Sequence, residues 1–519
     1  MQEFKNFYFE NYEFDLKTFV AKFYYSFDKK EIFVEEINFE CEDFAKRKNL
    51  NFKIIENLLF HLFISLWISY YKLFPKSKII LEKWNFDEEQ IKFWKKFYLN
   101  WLWEFLYVNK LEPKIIFTLS PALNSMTHKG LKSFLSINEK GTIKKEKNQV
   151  DNVDKIKKWV VYWNIWEKFL VPIWWGKDSI VSIELLRQAW KNFDTFVFWK
   201  MDKIKRNCIK ISGKKNLFVS RKLSKNLFEL NKKGYYNWHV PITGIITFVL
   251  EVVAYLYDYK YLVLSNEKSA NFWNTVYRWI KINHQYSKSL EFEKDLKDYV
   301  WKYMNSNVKY FSLLRWMYEY KIAELFAKLW KKYFKVFSSC NGNFKILNPP
   351  IPNPFPPREK GDNKYEIIKK ENKIWCNDCS KCAFVYSILS SFLSRQELST
   401  IFGEDLYNKK SLVDIFEELA GISWHKPLEC VGESSEIIVS NYKYLKNLKS
   451  ENLKIPEYLK IFEEKVIWKI YKQMRRKCEE KKIEGNLEKY FENLEKELLK
   501  VSDNDLIPEE VKREVLGNI

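Results

Sequence analysis

A run of residues suited to holding phosphate begins where an apolar stretch ends. Phe169-Leu170-Val171-Pro172-Ile173 reads as a buried strand, and Gly176-Lys177-Asp178-Ser179 opens the helix-like segment that follows. A strand, a glycine turn and a helix start aim backbone N–H groups at an anion. Glycine is expected there for positive φ and for close backbone approach. Trp174 and Trp175 precede it, and an indole at either position obstructs a ligand.

Three of the eight cysteines form Cys376-x-x-Cys379-x-x-Cys382, with Cys340 on the other side of a proline-rich stretch. Four thiolates suit tetrahedral zinc, and an iron–sulfur cluster is the alternative for three close cysteines and one distant one. Imidazole titrates near neutral pH, so histidines in dense polar runs are proton-transfer candidates. Three of the five qualify: His239 in Asn237-Trp238-His239-Val240-Pro241, His284 in Asn283-His284-Gln285-Tyr286-Ser287-Lys288-Ser289, and His425 in His425-Lys426-Pro427-Leu428-Glu429-Cys430. Cys430, outside the quartet and beside Glu429, adds a thiol acid or base. Each also has a plainer reading, as a hydrogen-bonded or inert buried side chain. Ser265-Asn266-Glu267-Lys268-Ser269-Ala270-Asn271 follows directly on a predicted strand, the edge at which open α/β sheets take ligands, so Asn266 and Glu267 are candidate ligand contacts.

An α/β body with a parallel sheet must position these groups. Strand-like 169–173, helix-like 179–189 and strand-like 195–198 give βαβ order, and an apolar helix over 242–257 leads to a strand over 261–264. Ahead of them, residues 4 to 40 alternate as strands, and helical spacing covers about 52–72 and 87–109. The expected division is an N-terminal α+β domain over 1–136, a Lys- and Asn-rich linker over 137–158, a catalytic domain with the four-cysteine metal site over 159–435, and a helical C-terminal extension over 436–519. Six prolines in residues 349–357 mark an extended loop.

With 519 residues, 46% apolar and 30% charged, the chain is expected to fold as an enzyme-sized body. The first residues lack the basic start and apolar block of a secretory signal, and the apolar stretch 244–264 is interrupted by Glu251, Asp258 and Lys260. A cytoplasmic protein without a membrane span is expected, where a disulfide framework does not fit. The net charge of +21 comes mainly from dispersed lysines with no compact Arg-rich patch, which argues against nucleic acid as the partner.

The phosphate segment resembles the PP-loop, ATP-pyrophosphatase-type family, whose pattern is Ser/Gly-Gly-Gly-x-Asp-Ser after a strand; Gly176, Lys177, Asp178 and Ser179 match it. Together with Asn266-Glu267-Lys268-Ser269-Ala270, the His284 run, Tyr310-Phe311-Ser312-Leu313-Leu314-Arg315, Phe337-Ser338-Ser339-Cys340-Asn341 and the His425 to Gly432 run, it is similar to the MurL family of muramoyl-dipeptide epimerases, over roughly residues 5 to 435. The resemblance implies ATP-dependent epimerisation of the terminal L-Glu of UDP-MurNAc-L-Ala-L-Glu to D-Glu through an acyl-adenylate. AMP and diphosphate are released, and the reaction belongs to peptidoglycan precursor synthesis. It implies that residues 174–179 hold the ATP phosphates, with Lys177 offsetting charge and Asp178 positioning Mg2+ or the attacking carboxylate. It further implies a structural zinc on the four cysteines, and proton transfer by some of His239, His284, His425 and Cys430. A tRNA-modifying PP-loop enzyme that adenylates a base, and an inactive zinc-stabilised binding paralogue, are the rival readings.

Trp174 and Trp175 depart from the family pattern. Either the loop is degenerate, or UGA encodes glycine in this gene and the sequence is written with tryptophan in its place. The chain has 21 Trp against 13 Gly, whereas glycine usage averages about 7% of residues, which favours recoding. Trp190 after a helix, Trp238 and Trp273 also stand where glycine makes better local sense.

Overall fold

Aromatic alternation in the first forty residues builds three antiparallel strands, β1 (Asn6–Asp15), β2 (Val20–Phe27) and β3 (Glu31–Asn38). A register shift between Phe9 and Asn11 resets the alternation, so that Phe7, Phe9, Tyr12 and Phe14 all face the core. A computed structural model describes residues 3–82, 86–112, 167–174, 176–237, 240–304, 306–344, 374–422, 426–481 and 486–517. The expected linker 137–158 and the proline-rich loop 349–357 lie outside them.

Helices α1 (Phe52–Leu66), α2 (Ile68–Tyr71) and α3 (Glu88–Val108) follow, with the short strand β4 (Lys78–Ile80) before α3. Asp87 starts α3 with a capping box closed by Gln90. The stretch Phe52–Tyr71 is apolar enough to cross a membrane, but 67% of its most apolar window is buried against the rest of the chain. Trp67, Tyr70 and Tyr71 there pack against the aromatic face of the strands.

The expected βαβ order is present as β5 (Phe169–Pro172), α4 (Lys177–Gln188) and β6 (Phe193–Trp199). The chain continues through α5 (Lys203–Ser212), β7 (Asn216–Lys222), α6 (Lys225–Lys232), α7 (Ile242–Tyr257) and β8 (Tyr261–Leu264). After a small hairpin of β9 (Thr275–Tyr277) and β10 (Ile280–Ile282) come α8 (Leu290–Tyr303), β11 (Lys309–Ser312) and α9 (Glu319–Leu329). Among the described residues one nine-stranded sheet results, in the order β11-β8-β5-β6-β7-β3-β2-β1-β4. Its β11 to β7 half is parallel.

The boundary expected at residue 136 does not divide this sheet, because β3 pairs antiparallel with β7. Across that junction Arg221 Nε lies 2.6 Å from Glu35 Oε1, both side chains buried. Removing one partner of such a pair leaves an uncompensated buried charge, a cost of about 3–5 kcal/mol.

The C-terminal part is helical, with α10 (Ser380–Ser390), α11 (Arg395–Phe402), α12 (Val413–Leu419) and α13 (Ser434–Ser450), then further helices up to Glu509–Leu516. It is built into the core: Ser502 N donates to the Trp316 carbonyl, and Tyr261 Oη donates to Glu510. Buried Glu436 at the start of α13 accepts from Ser269 Oγ and from Tyr320 N.

Among the described residues three tryptophans adopt left-handed backbone: Trp190 (φ 54°), Trp199 (φ 78°) and Trp279 (φ 69°). Trp190 follows the end of α4, where Trp190 N bonds Arg187 O and Lys191 N bonds Leu186 O. That is the helix ending in which glycine ordinarily takes the left-handed residue. Trp279 is the second residue of the two-residue β9–β10 turn, again a glycine position. Both indoles project into solvent, Trp190 at 94% and Trp279 at 98% exposure. Trp273 is not among the left-handed residues, and Trp238 lies outside the described residues.

Candidate active site

The chain leaves β5 toward β6 on one side and returns as β8 on the other, so the carboxyl ends of β5 and β8 form a topological switch point. Open α/β sheets bind ligands in that crevice. Gly176 and α4 follow β5 there, and Ser265-Asn266-Glu267 follows β8. Gly176 caps α4 with φ −68°, so positive φ is not what requires glycine. Close approach is: a Cβ at Gly176 would lie 2.8 Å from Ser339 Oγ. Trp174 is half-buried and lines a small cavity with Pro172, Ile173, Phe196 and Phe198 from the β5 and β6 segments and Ile246 of α7. Trp175 lies outside the described residues.

Lys177 and Asp178 open α4 and meet charges from distant segments. Lys177 Nζ binds Asp178 Oδ1 and Glu319 Oε2, and Lys381 Nζ lies 3.2 Å from Glu319 Oε1. Burial pushes the Lys177 ammonium down, with Asp178 opposing and Lys381 adding to the shift. Burial penalises the Asp178 carboxylate, yet Lys177 and Lys381 hold it below its usual range. Asp178, Glu267 and Glu319 can each present an oxygen within 4.8 Å of the others. Hard oxygen donors of this kind suit Mg2+, which takes one or two carboxylates and completes its shell with phosphate and water.

Arg315, after β11, fixes the loop that carries Glu267. Fully buried, its Nη1 donates to Glu267 O at 2.8 Å, and Nη2 reaches Lys288 O and Glu293 Oε2. Asn266 Nδ2 donates to Ser312 Oγ at 2.9 Å.

A second cluster joins two of the polar runs. Asn274 Oδ1 accepts from His284 N at 3.0 Å, and Asn274 Nδ2 donates to Pro427 O at 2.8 Å. Gln285 Nε2 donates to Val431 O. These ties set Cys430 beside His284, with Lys288 Nζ 3.2 Å from Cys430 Sγ. Burial works against a thiolate, but Lys288, His284 and Lys381 outweigh it and bring Cys430 down to about 6. Burial likewise opposes an imidazolium, but Glu104 and Cys430 hold His284 up at about 10. Near neutral pH the pair is therefore thiolate and imidazolium, a base and an acid in contact.

The four cysteines converge. Their sulfurs can all lie within 4.8 Å of one another, with Cys376 to Cys382 at 3.7 Å and Cys379 to Cys382 at 3.5 Å. Zinc–sulfur bonds of about 2.3 Å place tetrahedral sulfurs roughly 3.8 Å apart, so the set fits zinc. N–H groups of Cys376, Asp378 and Cys382 point at the sulfurs of Cys340, Cys376 and Cys379.

This cluster adjoins both sites. Ser339 precedes Cys340, and Lys381 sits between Cys379 and Cys382 at the start of α10. Lys381 N donates to Glu429 Oε2 at 2.9 Å, beside Cys430, while its Nζ binds Glu319.

Comparison with known proteins decides the family. A family model described as the MurL N-terminal domain matches residues 1–313, and one described as the MurL C-terminal domain matches residues 361–463. The chain belongs to the MurL family. The UDP-N-acetyl-alpha-D-muramoyl-L-alanyl-L-glutamate epimerase of Xanthomonas oryzae pv. oryzae (strain MAFF 311018) is 30% identical over 432 residues, 81% of this chain and 82% of that protein. The protein of the same name from Micromonospora sp. (strain ATCC 39149 / NRRL 15099 / SCC 1413) is 35% identical over 270 residues, 51% of this chain and 54% of its own. That of Salinispora tropica is 34% identical over 266 residues, 51% and 53% respectively. The MurL N-terminal match runs across residue 136 and ends just after β11, as the sheet does.

Of the candidates read from sequence in this MurL chain, Gly176, Lys177, Asp178, Ser179, Asn266 and Glu267 gather at the switch point. His284 meets Cys430, and the four cysteines meet one another. His239 and His425 lie outside the described residues. Sequence reasoning missed Glu319, Lys381 and Glu104, and gave no role to Lys288 or Ser339 although both lie in runs it singled out. Of the three missed, Lys381 alone carried a local signal, its place within the Cys379–Cys382 spacing.

Proposed function

We propose that the chain inverts the terminal L-glutamate of UDP-MurNAc-L-Ala-L-Glu to D-glutamate, using ATP, on a PP-loop-type fold. The observation that carries this reading is the reach of Lys381. Its Nζ binds Glu319 of the carboxylate cluster, and its N–H binds Glu429 next to Cys430. One residue thus links a site suited to nucleotide phosphates with a site suited to moving a proton.

The chemistry needs both. A carboxylate leaves its own Cα–H a very weak acid. Attack of that carboxylate on the α-phosphorus of ATP forms an acyl-adenylate and expels diphosphate, removing the negative charge beside Cα. The Cys430 thiolate, held by His284 and Lys288, takes the Cα proton, and a proton returns to the opposite face. Water then cleaves the adenylate to AMP and the D-epimer. Asp178, Glu267 and Glu319 would hold Mg2+, which offsets phosphate charge, and Lys177 and Lys381 supply fixed positive charge. The cysteine quartet would hold structural zinc.

ATP entry requires room at 174 and 175. Left-handed Trp190, Trp199 and Trp279 support the reading that these tryptophan positions, and Trp174 and Trp175 with them, are glycine in the working protein. Turnover of ATP to AMP by protein with glycine at 174 and 175 tests the function. Stimulation by the dipeptide-bearing nucleotide is expected; stimulation by tRNA instead, or no turnover at all, favours the rival readings.

A further inference from the structure

The group that holds His284 comes from the N-terminal part of the chain. Glu104 lies on α3, and its Oε2 is 2.5 Å from His284 Nδ1, with both side chains nearly buried, at 6% and 8% exposure. Three residues earlier on the same helix, Trp101 packs on Gly244 of α7, where a Cβ would meet the indole at 2.4 Å. Glycine at 244 therefore lets α3 sink far enough for Glu104 to reach the imidazole. A carboxylate on Nδ1 fixes the ring's orientation and leaves Nε2 for the remaining partner, the Cys430 sulfur.

We propose that Glu104 is a positioning residue in a Glu104–His284–Cys430 relay, anchoring His284 as the cation that keeps Cys430 a thiolate. The inference rests on the reading of Cys430 as the proton-transfer group. The charged groups that face the pair are Glu104 from α3, Lys288 from the segment before α8, Lys381 from α10, and Glu429 from the loop of Cys430 itself. Lys288 and Lys381 attract the thiolate without touching the imidazole nitrogen that Glu104 occupies. Losing Glu104 therefore weakens only the histidine's share.

The test is the pH dependence of Cys430 alkylation by iodoacetamide, followed by mass spectrometry of the Cys430 peptide in the full-length protein. It is run on the unaltered chain, Glu104→Gln and Glu104→Asp, with the thermal midpoint as a folding control. The midpoint near 6 is expected to rise by at least one pH unit in Glu104→Gln, toward the ordinary thiol value of 9, and to be largely restored in Glu104→Asp. Epimerisation kcat should fall more than tenfold in Glu104→Gln with KM for ATP little changed. An unmoved alkylation midpoint in a folded Glu104→Gln overturns the relay, whatever happens to activity. Full epimerisation by Cys430→Ser would instead overturn the underlying reading of Cys430, and the alkylation result separates the two failures.

Discussion

The ammonium of Lys288 lies 3.2 Å from the sulfur of Cys430, across 142 residues of sequence. A half-buried lysine beside a thiol favours the thiolate, the reactive form of cysteine. Cys430→Ser, nearly isosteric but without an accessible anion, should lower epimerisation by at least about 100-fold, the usual scale for a lost acid–base group. Dipeptide-dependent ATP–diphosphate exchange should persist, since the carboxylate cluster is untouched. Loss of exchange to the same extent as epimerisation would place Cys430 in adenylation instead.

The pair sets a pH window for activity. With Cys430 lowered to about 6, acid protonates the thiolate and removes the base below that point. With His284 raised to about 10, alkali removes the imidazolium proton above it. The kcat/KM profile of epimerisation should be bell-shaped with limbs near those values, and Cys430→Ser should lose the acid limb. A profile flat from pH 5 to 8 contradicts the ion pair.

The cysteine quartet anchors Ser339 against Gly176 and Lys381 against Glu319. Metal analysis should find one zinc per chain. Cys376→Ser should lower both metal content and the thermal midpoint, and should reduce adenylation because Lys381 loses its anchor. Iron with acid-labile sulfide in anaerobically purified protein would replace zinc with a cluster.

Left-handed backbone costs a non-glycine residue roughly 1–2 kcal/mol. Trp190 and Trp279 are almost fully exposed, so glycine there loses little packing. Trp190→Gly and Trp279→Gly should each stabilise the chain by about 1 kcal/mol in denaturant unfolding. Trp199→Gly should gain less, because Arg221 lies 5.1 Å over its ring. Mass spectrometry of the protein from its own cells should find glycine at 174, 175, 190, 199 and 279; tryptophan at these positions contradicts recoding.

Much of the frame was legible because its signals are local. The helix over 242–257 and the strand over 261–264 follow from apolar runs, and α7 and β8 have those bounds. The cysteine spacing and the Gly176-Lys177-Asp178-Ser179 start were equally visible. The β9–β10 hairpin was not, since three-residue strands carry too little alternation, and its turn bears Trp279 where a glycine would have marked it. Glu319, Lys381 and Glu104 escaped for another reason. Each is an ordinary charged residue on a helix until the sheet's switch point and the close α3–α7 packing bring it to its partner.

The central claim is that adenylation and proton transfer at Cα are one coupled reaction. Its most direct test is turnover of ATP and UDP-MurNAc-L-Ala-L-Glu in D2O by protein with glycine at 174 and 175, scoring AMP, diphosphate and deuterium at the glutamate α-carbon together. The account predicts D-glutamate product carrying one α-deuterium, with AMP and diphosphate released in step, and none of the three in Asp178→Asn. Inversion and deuterium uptake without AMP, or AMP release with the α-proton retained, would contradict it.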